Sequence, residues 1–135
     1  MKVLALDYGS ARTGVAVSDP TGTMARPLSV VERAGTEAGI IEILELARHE
    51  GAERIVVGLP ITLRGERGTQ AEETERFVEL LRDATDLPID TFDERFTTKL
   101  ANQTRRGGAK RPPADAVAAA HLLSSYLTWK SARPA

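Results

Sequence analysis

Three acidic residues stand far apart in the chain, each beside a segment that is predicted to be a strand or the start of a helix. Asp7 and Glu94 each follow a short apolar run, and Asp115 follows a pair of prolines. A carboxylate at the end of a buried strand is costly unless a partner neutralises it. If the three meet at one sheet edge, they form a site for Mg²⁺ or Mn²⁺, which prefer oxygen ligands and keep waters that a phosphate can displace. This pattern is typical of enzymes that cleave phosphodiester bonds.

The composition narrows the chemistry further. The chain has 135 residues, of which 41% are hydrophobic and 27% charged, and this suits a single domain over 1–135. It contains no cysteine, so disulfides, thiolate zinc sites and cysteine nucleophiles are excluded. No apolar run approaches the roughly 20 residues of a membrane span, and Asp7 comes too early for a signal peptide. We therefore expect a cytoplasmic protein with no membrane partner. With a net charge of −1, any binding of nucleic acid must depend on a local basic patch.

The elements that must position the acids follow an α/β pattern. Apolar runs predict strands over 3–6, 14–18, 27–32, 54–58 and 87–92, the first two forming a hairpin. Helical spacing predicts helices over 36–50, from 69 onward, over 97–106 and over 113–130. Antiparallel strands followed by strand–helix alternation indicate a mixed sheet with helices on both faces.

Local signals predict how the first two helices begin and end. Thr36 and Gly51 predict the start and the stop of the first helix. Thr69 and Glu72 have the spacing of a capping box, which predicts that Thr69 caps the second helix. That helix is expected to turn four side chains toward the core: Phe77, Leu80, Leu81 and Ala84.

The first acidic motif, residues 7–14, reads Asp-Tyr-Gly-Ser-Ala-Arg-Thr-Gly. Gly9 permits a tight turn, which leaves Asp7 at the sheet edge with Arg12 on the return strand. Asp7 is then a metal ligand beside a phosphate site, or part of the phosphate loop of actin-like and sugar-kinase-like ATPases. A plain hairpin turn with an Asp cap is the third alternative.

The other two acids also have structural alternatives. Adjacent strand residues point to opposite faces, so Asp93 and Glu94 are not expected to bind the same ion. Arg95 either neutralises a carboxylate or holds a phosphate. Asp115 lies in the first turn of the last helix, where the helix dipole alone favours an acid. It also heads an apolar stripe that should turn it toward the strand ends, formed by Ala119, Leu122, Tyr126 and Trp129.

A basic, glycine-containing segment precedes Asp115. Its four cations are Arg105, Arg106, Lys110 and Arg111. It is either a solvated loop or an arm that contacts the phosphates of a nucleic acid beside the acidic site.

Together these motifs resemble the YqgF/RuvX family, whose members are described as Holliday junction resolvases and as pre-16S rRNA nucleases. The resemblance spans nearly the whole chain, and its specificity comes from four segments in order. They are Asp7-x-Gly9-x-x-Arg12-x-Gly14, Val57-Gly58-Leu59-Pro60, Asp93-Glu94-Arg95-x-Thr97-Thr98 and Asp115-x-x-Ala118-Ala119.

The resemblance implies a ribonuclease H-like fold with a mixed five-stranded sheet, and catalysis by Asp7, Glu94 and Asp115 with Mg²⁺ or Mn²⁺. Arg12 and Arg95 are expected to orient phosphates. The expected substrate is structured RNA, with 5′-end maturation of pre-16S rRNA as the leading role, and branched or single-stranded DNA is the alternative. A module that binds nucleic acid without cutting it and an ATPase-like nucleotide binder stay open as rivals. The protein is expected to be a monomer or a homodimer.

Overall fold

A computed structural model describes residues 1–61, 68–97 and 112–133. Within these ranges the strands form one five-stranded sheet in the order β3-β2-β1-β4-β5. Strands β1, β2 and β3 pair antiparallel, while β4 is parallel to β1 and β5 is parallel to β4. The predicted mixed sheet is confirmed. The strands are β1 Val3–Asp7, β2 Arg12–Ser18, β3 Ala25–Glu32, β4 Arg54–Leu59 and β5 Ile89–Asp93.

Helices cover both faces of the sheet. The helices α1, Glu37–Glu50, and α2, Thr69–Ala84, pack on one face, and α3, Ala114–Ser131, packs on the other. A 3₁₀ turn, Glu94–Phe96, follows β5 directly. The side chains of each strand alternate between the two faces, so the sheet is buried on both sides.

The alternation along β1 decides on which face Asp7 lies. Leu4 and Leu6 belong to the core beneath α1 and α2, whereas Val3 and Ala5 belong to the core beneath α3. Asp7 comes two residues after Ala5 and so lies on the same face of the sheet as Val3 and Ala5. Its side chain therefore lies on the α3 face, at the edge where β1, β4 and β5 end.

The first helix begins and ends as predicted. The side chain of Thr36 accepts a hydrogen bond from the Gly39 N–H, which caps the start of α1. Gly51 adopts a left-handed conformation with φ of 72° and ends the helix.

Two predictions about α2 are wrong. Extended Gly68 occupies the cap position, so Thr69 is the first helical residue and not the cap. The buried stripe is also rotated, since Leu80 is 47% exposed and Ala84 is exposed. Thr74 takes part in the buried stripe because its hydroxyl is satisfied by the Gln70 carbonyl at 2.8 Å. The buried residues of α2 are Ala71, Thr74, Phe77, Val78 and Leu81.

The chain after β5 departs from the predicted pattern in one described turn. Glu94 begins the 3₁₀ turn and does not prolong a strand, and Thr97 follows at its end. The short helix predicted over 97–106 falls almost wholly outside the described residues.

In the described ranges no helix is both long enough and apolar enough to cross a membrane.

Candidate active site

Asp7 and Glu94 meet at the edge where the parallel strands end. Asp7 is the last residue of β1, and Glu94 follows β5, with β4 between the two strands. The Glu94 side chain is close enough to bond to the Asp7 carboxyl whenever one of the two carries a proton. Burial raises the pKa of Asp7 and the charge of Asp115 raises it further, while the bond with Glu94 works in the opposite direction. The two carboxyls thus form a close acidic pair.

A glycine in β4 makes room for Glu94. A Cβ atom on Gly58 would lie 2.6 Å from Oε2 of Glu94 and 3.0 Å from Cδ2 of Leu122. Any side chain at this position would therefore press on the acid or on α3. This role of Gly58 was not predicted from the sequence, where the residue appears only as part of a motif. The available signal was a glycine inside a β-branched run, which often marks a close approach.

A second glycine lets α3 deliver Asp115 to the same edge. Gly14 pairs with Asp7 across β1 and β2. A Cβ atom on Gly14 would lie only 1.8 Å from the backbone oxygen of Asp115. The first turn of α3 therefore rests directly on the backbone of β2. As predicted, Asp115 faces the strand ends.

Arg12 binds Asp115. Its Nε atom lies 3.1 Å from Oδ2 of Asp115, and both side chains are partly exposed. An exposed ion pair of this kind contributes about 1 kcal/mol or less to stability, so opening it costs little. The guanidinium compensates the acid, and this pairing was not among the predictions.

Arg95 neutralises a carboxylate, which is one of the two roles expected for it. Its Nε lies 3.1 and 2.9 Å from the two carboxylate oxygens of Asp93, and Nη2 lies 2.6 Å from Oδ2. The backbone N–H of Arg95 also donates to Oδ1 at 2.9 Å. These bonds lower the pKa of Asp93 and brace the turn that carries Glu94. Asp93 thus bonds to Arg95, and the expectation that Asp93 and Glu94 do not bind the same ion stays a prediction.

The three carboxylates suit a divalent cation in their chemistry. Among the residues that the structure describes, no three Asp, Glu or His groups are gathered closely enough to hold a metal ion. Positive charge at Asp115 is supplied instead by Arg12. Mg²⁺ and Mn²⁺ accept all-oxygen ligands and would take over this compensation once Asp115 leaves Arg12.

The predicted basic segment falls outside the described residues. This applies to Arg105, Arg106, Lys110 and Arg111, whose contact with phosphates stays a prediction. The chain is described again from Pro112, and α3 begins two residues later.

The sequence model of RuvX, described as a Holliday junction resolvase, matches residues 1–129. The chain belongs to the RuvX family. A candidate pre-16S rRNA nuclease of Chloroflexus aurantiacus is 41% identical, with 98% of this chain and 90% of the relative covered. Another from Rubrobacter xylanophilus is 44% identical, with 93% and 91% covered. The resemblance inferred from the four motifs is confirmed.

Solved structures support the fold of this RuvX-family chain. Thermus thermophilus RuvC in complex with a Holliday junction substrate matches with a TM-score of 0.65 at 19% identity, covering 97% of this chain and 96% of RuvC. The fowlpox virus Holliday junction resolvase matches with a TM-score of 0.52 at 11% identity, covering 96% and 99%. The predicted ribonuclease H-like fold is thus confirmed.

Proposed function

We propose that this chain is a metal-dependent nuclease that uses Asp7, Glu94 and Asp115 to hydrolyse phosphodiester bonds in the 5′ end of pre-16S rRNA. Membership of the RuvX family supports the enzyme class, a hydrolase that acts on ester bonds. The observation that carries the catalytic assignment is the bonded pair of Asp7 and Glu94, with Asp115 near enough to raise the pKa of Asp7.

The role of each group follows from its position. Asp7 at the end of β1 and Glu94 in the turn after β5 would hold the ion, and Asp115 would join them by leaving Arg12. When bound, Mg²⁺ or Mn²⁺ would activate the attacking water and stabilise the leaving oxygen in an in-line displacement at phosphorus. Arg12, released from Asp115, then donates to a phosphate oxygen. Arg95 contributes by bracing the turn of Glu94 through its bonds to Asp93, and it would orient a phosphate only after leaving that carboxylate.

Structured RNA is the preferred substrate in this proposal. Relatives that are about 40% identical over nearly their whole length carry the name pre-16S rRNA nuclease, and a role in rRNA maturation implies a cytoplasmic enzyme. The description of the family favours a second candidate, resolution of branched DNA. Two symmetric cuts in a junction would need a homodimer. A monomer that consists of one domain over 1–135 is sufficient for trimming RNA.

A cleavage assay tests the proposal. Labelled RNA with a pre-16S 5′ leader and a four-way DNA junction are each incubated with the protein in Mg²⁺, in Mn²⁺ and in EDTA. We expect metal-dependent cutting of the RNA, and a loss of at least about a hundredfold in Asp7→Asn. Asp83→Asn, an exposed acid of α2, serves as the matched control and should keep the wild-type rate.

The possible results separate the alternatives. Paired symmetric cuts in the junction, with the RNA left intact, would replace RNA by branched DNA as the substrate. Cleavage by Asp7→Asn within threefold of wild type would refute the assignment of the acids.

A further inference from the structure

Four of the six aromatic residues of the chain gather beside Glu94. The sequence contains three Phe, two Tyr and one Trp. The ring of Phe92 lies 6.0 Å from Phe96, 5.6 Å from Tyr126 and 5.8 Å from Trp129, between centroids. Phe92 and Tyr126 are buried beneath α3, so packing in the core accounts for them. It accounts less fully for Phe96, while Trp129 stacks on Tyr126 with 6.3 Å between centroids and still keeps part of its ring in solvent.

Phe96 and Trp129 are presented to solvent. Phe96 is 59% exposed and Trp129 is 37% exposed. The guanidinium carbon of Arg133 lies 4.1 Å from the centroid of the Trp129 ring, which adds positive charge to this surface. To stack at Trp129 a base must displace or cover this guanidinium, whereas the ring of Phe96 is open. Aromatic rings and arginine planes are the groups on which proteins stack unpaired bases.

This surface adjoins the acidic site directly. Phe96 belongs to the same three-residue turn as Glu94. The bonds between Asp93 and Arg95 brace that turn, from which both the ring of Phe96 and the carboxylate of Glu94 project. A nucleic-acid strand that places a phosphate at Asp7 and Glu94 therefore passes within reach of Phe96.

The opposite side of the sheet edge is unfavourable for a nucleic acid. There a groove begins at Tyr8, and Arg76 is accompanied in it by four glutamates: Glu72, Glu73, Glu75 and Glu79. Their negative potential repels phosphates. A bound strand is accordingly directed over the α3 face, where Phe96 and Trp129 lie.

We propose that Phe96, Trp129 and Arg133 form an aromatic platform that stacks unpaired bases of the strand entering the active site. The inference rests on the proposed nuclease function and deepens it by naming the substrate class, a single-stranded segment. Unpaired bases offer their π faces to a flat side chain, whereas the bases of a duplex are already stacked on one another.

The test measures binding without cleavage, in EDTA, by the anisotropy of a labelled single-stranded RNA and of a duplex of the same sequence. Phe96→Leu keeps the apolar bulk and removes the π face. It should weaken single-strand binding by about five- to a hundredfold and leave duplex binding unchanged. Phe96→Tyr should retain wild-type affinity. Leu80→Ala removes an exposed apolar side chain on the opposite face and should change neither.

Trp129 provides a second readout because it is the sole tryptophan. A base stacked on its ring should quench its fluorescence saturably, and the duplex should not. Unchanged fluorescence at saturating single strand would overturn the platform. So would equal single-strand affinities for Phe96→Leu and wild type.

Parallel cleavage assays distinguish this inference from the nuclease proposal. If wild type cuts RNA and Asp7→Asn does not, normal binding by Phe96→Leu refutes the platform alone. If wild type cuts neither RNA nor DNA with metal, the nuclease proposal itself fails.

Discussion

The acidic residues of the site concentrate negative charge that the fold must compensate. Burial and the charge of Asp115 raise the pKa of Asp7 above its ordinary value of 3.8. A folded state with a raised carboxyl pKa binds its proton more tightly than the unfolded chain does. The free energy of unfolding therefore falls as the pH rises from the unfolded pKa through the folded one. At neutral pH the ionised site costs stability.

Asp7→Asn should therefore raise the melting temperature at pH 7 without metal, by roughly 2–5 °C. The difference should vanish below about pH 3.8, where Asp7 is protonated in both states. Thermal unfolding in EDTA at pH 7 and at low pH measures this effect. A variant that melts below wild type at pH 7 would show that the Asp7 carboxylate stabilises the fold.

Metal should raise the melting temperature of wild type, because an ion that binds only the folded state stabilises it by mass action. Glu94→Ala should lose most of the shift produced by Mn²⁺. Asp93→Ala should keep more of it, since Asp93 bonds to Arg95 and acts on Glu94 only through the turn. If the two variants give equal shifts, Glu94 is not the ligand that we assign.

Gly58 and Gly14 both lie where two secondary-structure elements pack closely, but substitutions at the two positions should have different effects. At Gly58 a Cβ atom would meet the side chains of Glu94 and Leu122, which can shift. At Gly14 it would meet the backbone of Asp115, which can move only with α3. We therefore expect a side chain at Gly58 to impair mainly the active site, and a side chain at Gly14 to impair mainly the stability of the fold.

Gly58→Ala should keep a melting temperature within a few degrees of wild type and lower single-turnover cleavage by about tenfold or more, because Glu94 is displaced. Gly14→Ala should destabilise by about 1–3 kcal/mol or more through overpacking. Circular dichroism melts and cleavage at saturating metal measure the two effects. Comparable melting temperatures for the two variants would contradict this division.

Local signals in the sequence predict some elements well and others poorly. Thr36 and Gly51 act through bonds within a few residues, so the ends of α1 could be predicted. The start of α2 and the burial of Thr74 depend on the sheet below, which no local pattern contains. Glu94 was predicted as a site residue, but its 3₁₀ turn was not, although the bond between Asp93 and Arg95 that caps the turn spans only two residues.

The candidate site could be predicted residue by residue but not pair by pair. Asp7, Glu94 and Asp115 can be recognised in the sequence because a carboxylate beside a buried apolar segment is costly unless a partner neutralises it. The partner of Arg12 could not be predicted, since exposed ion pairs differ by less than about 1 kcal/mol and tertiary geometry selects among them. The role of Gly58 likewise requires knowing which atoms approach its backbone.

Across the whole molecule, a net charge of −1 conceals an uneven distribution. The groove beside Tyr8 is acidic, whereas the segment before Asp115 carries four cations within residues 105–111. Phosphate contacts release counterions, so the affinity for RNA falls with salt in proportion to the number of phosphates neutralised. The basic segment should therefore set affinity, while the acids set the chemistry.

Changing Arg105, Arg106, Lys110 and Arg111 together to Ser should weaken RNA binding and reduce the slope of log affinity against log salt by up to about 3 for a single strand. Single-turnover cleavage at saturating RNA should be largely kept, because the carboxylates are untouched. Changing four cations elsewhere, Arg26, Arg48, Arg76 and Arg82, controls for net charge. Filter binding at several salt concentrations measures the slope. An unchanged slope would mean that the segment is solvated surface and that the platform and Arg12 carry the strand alone.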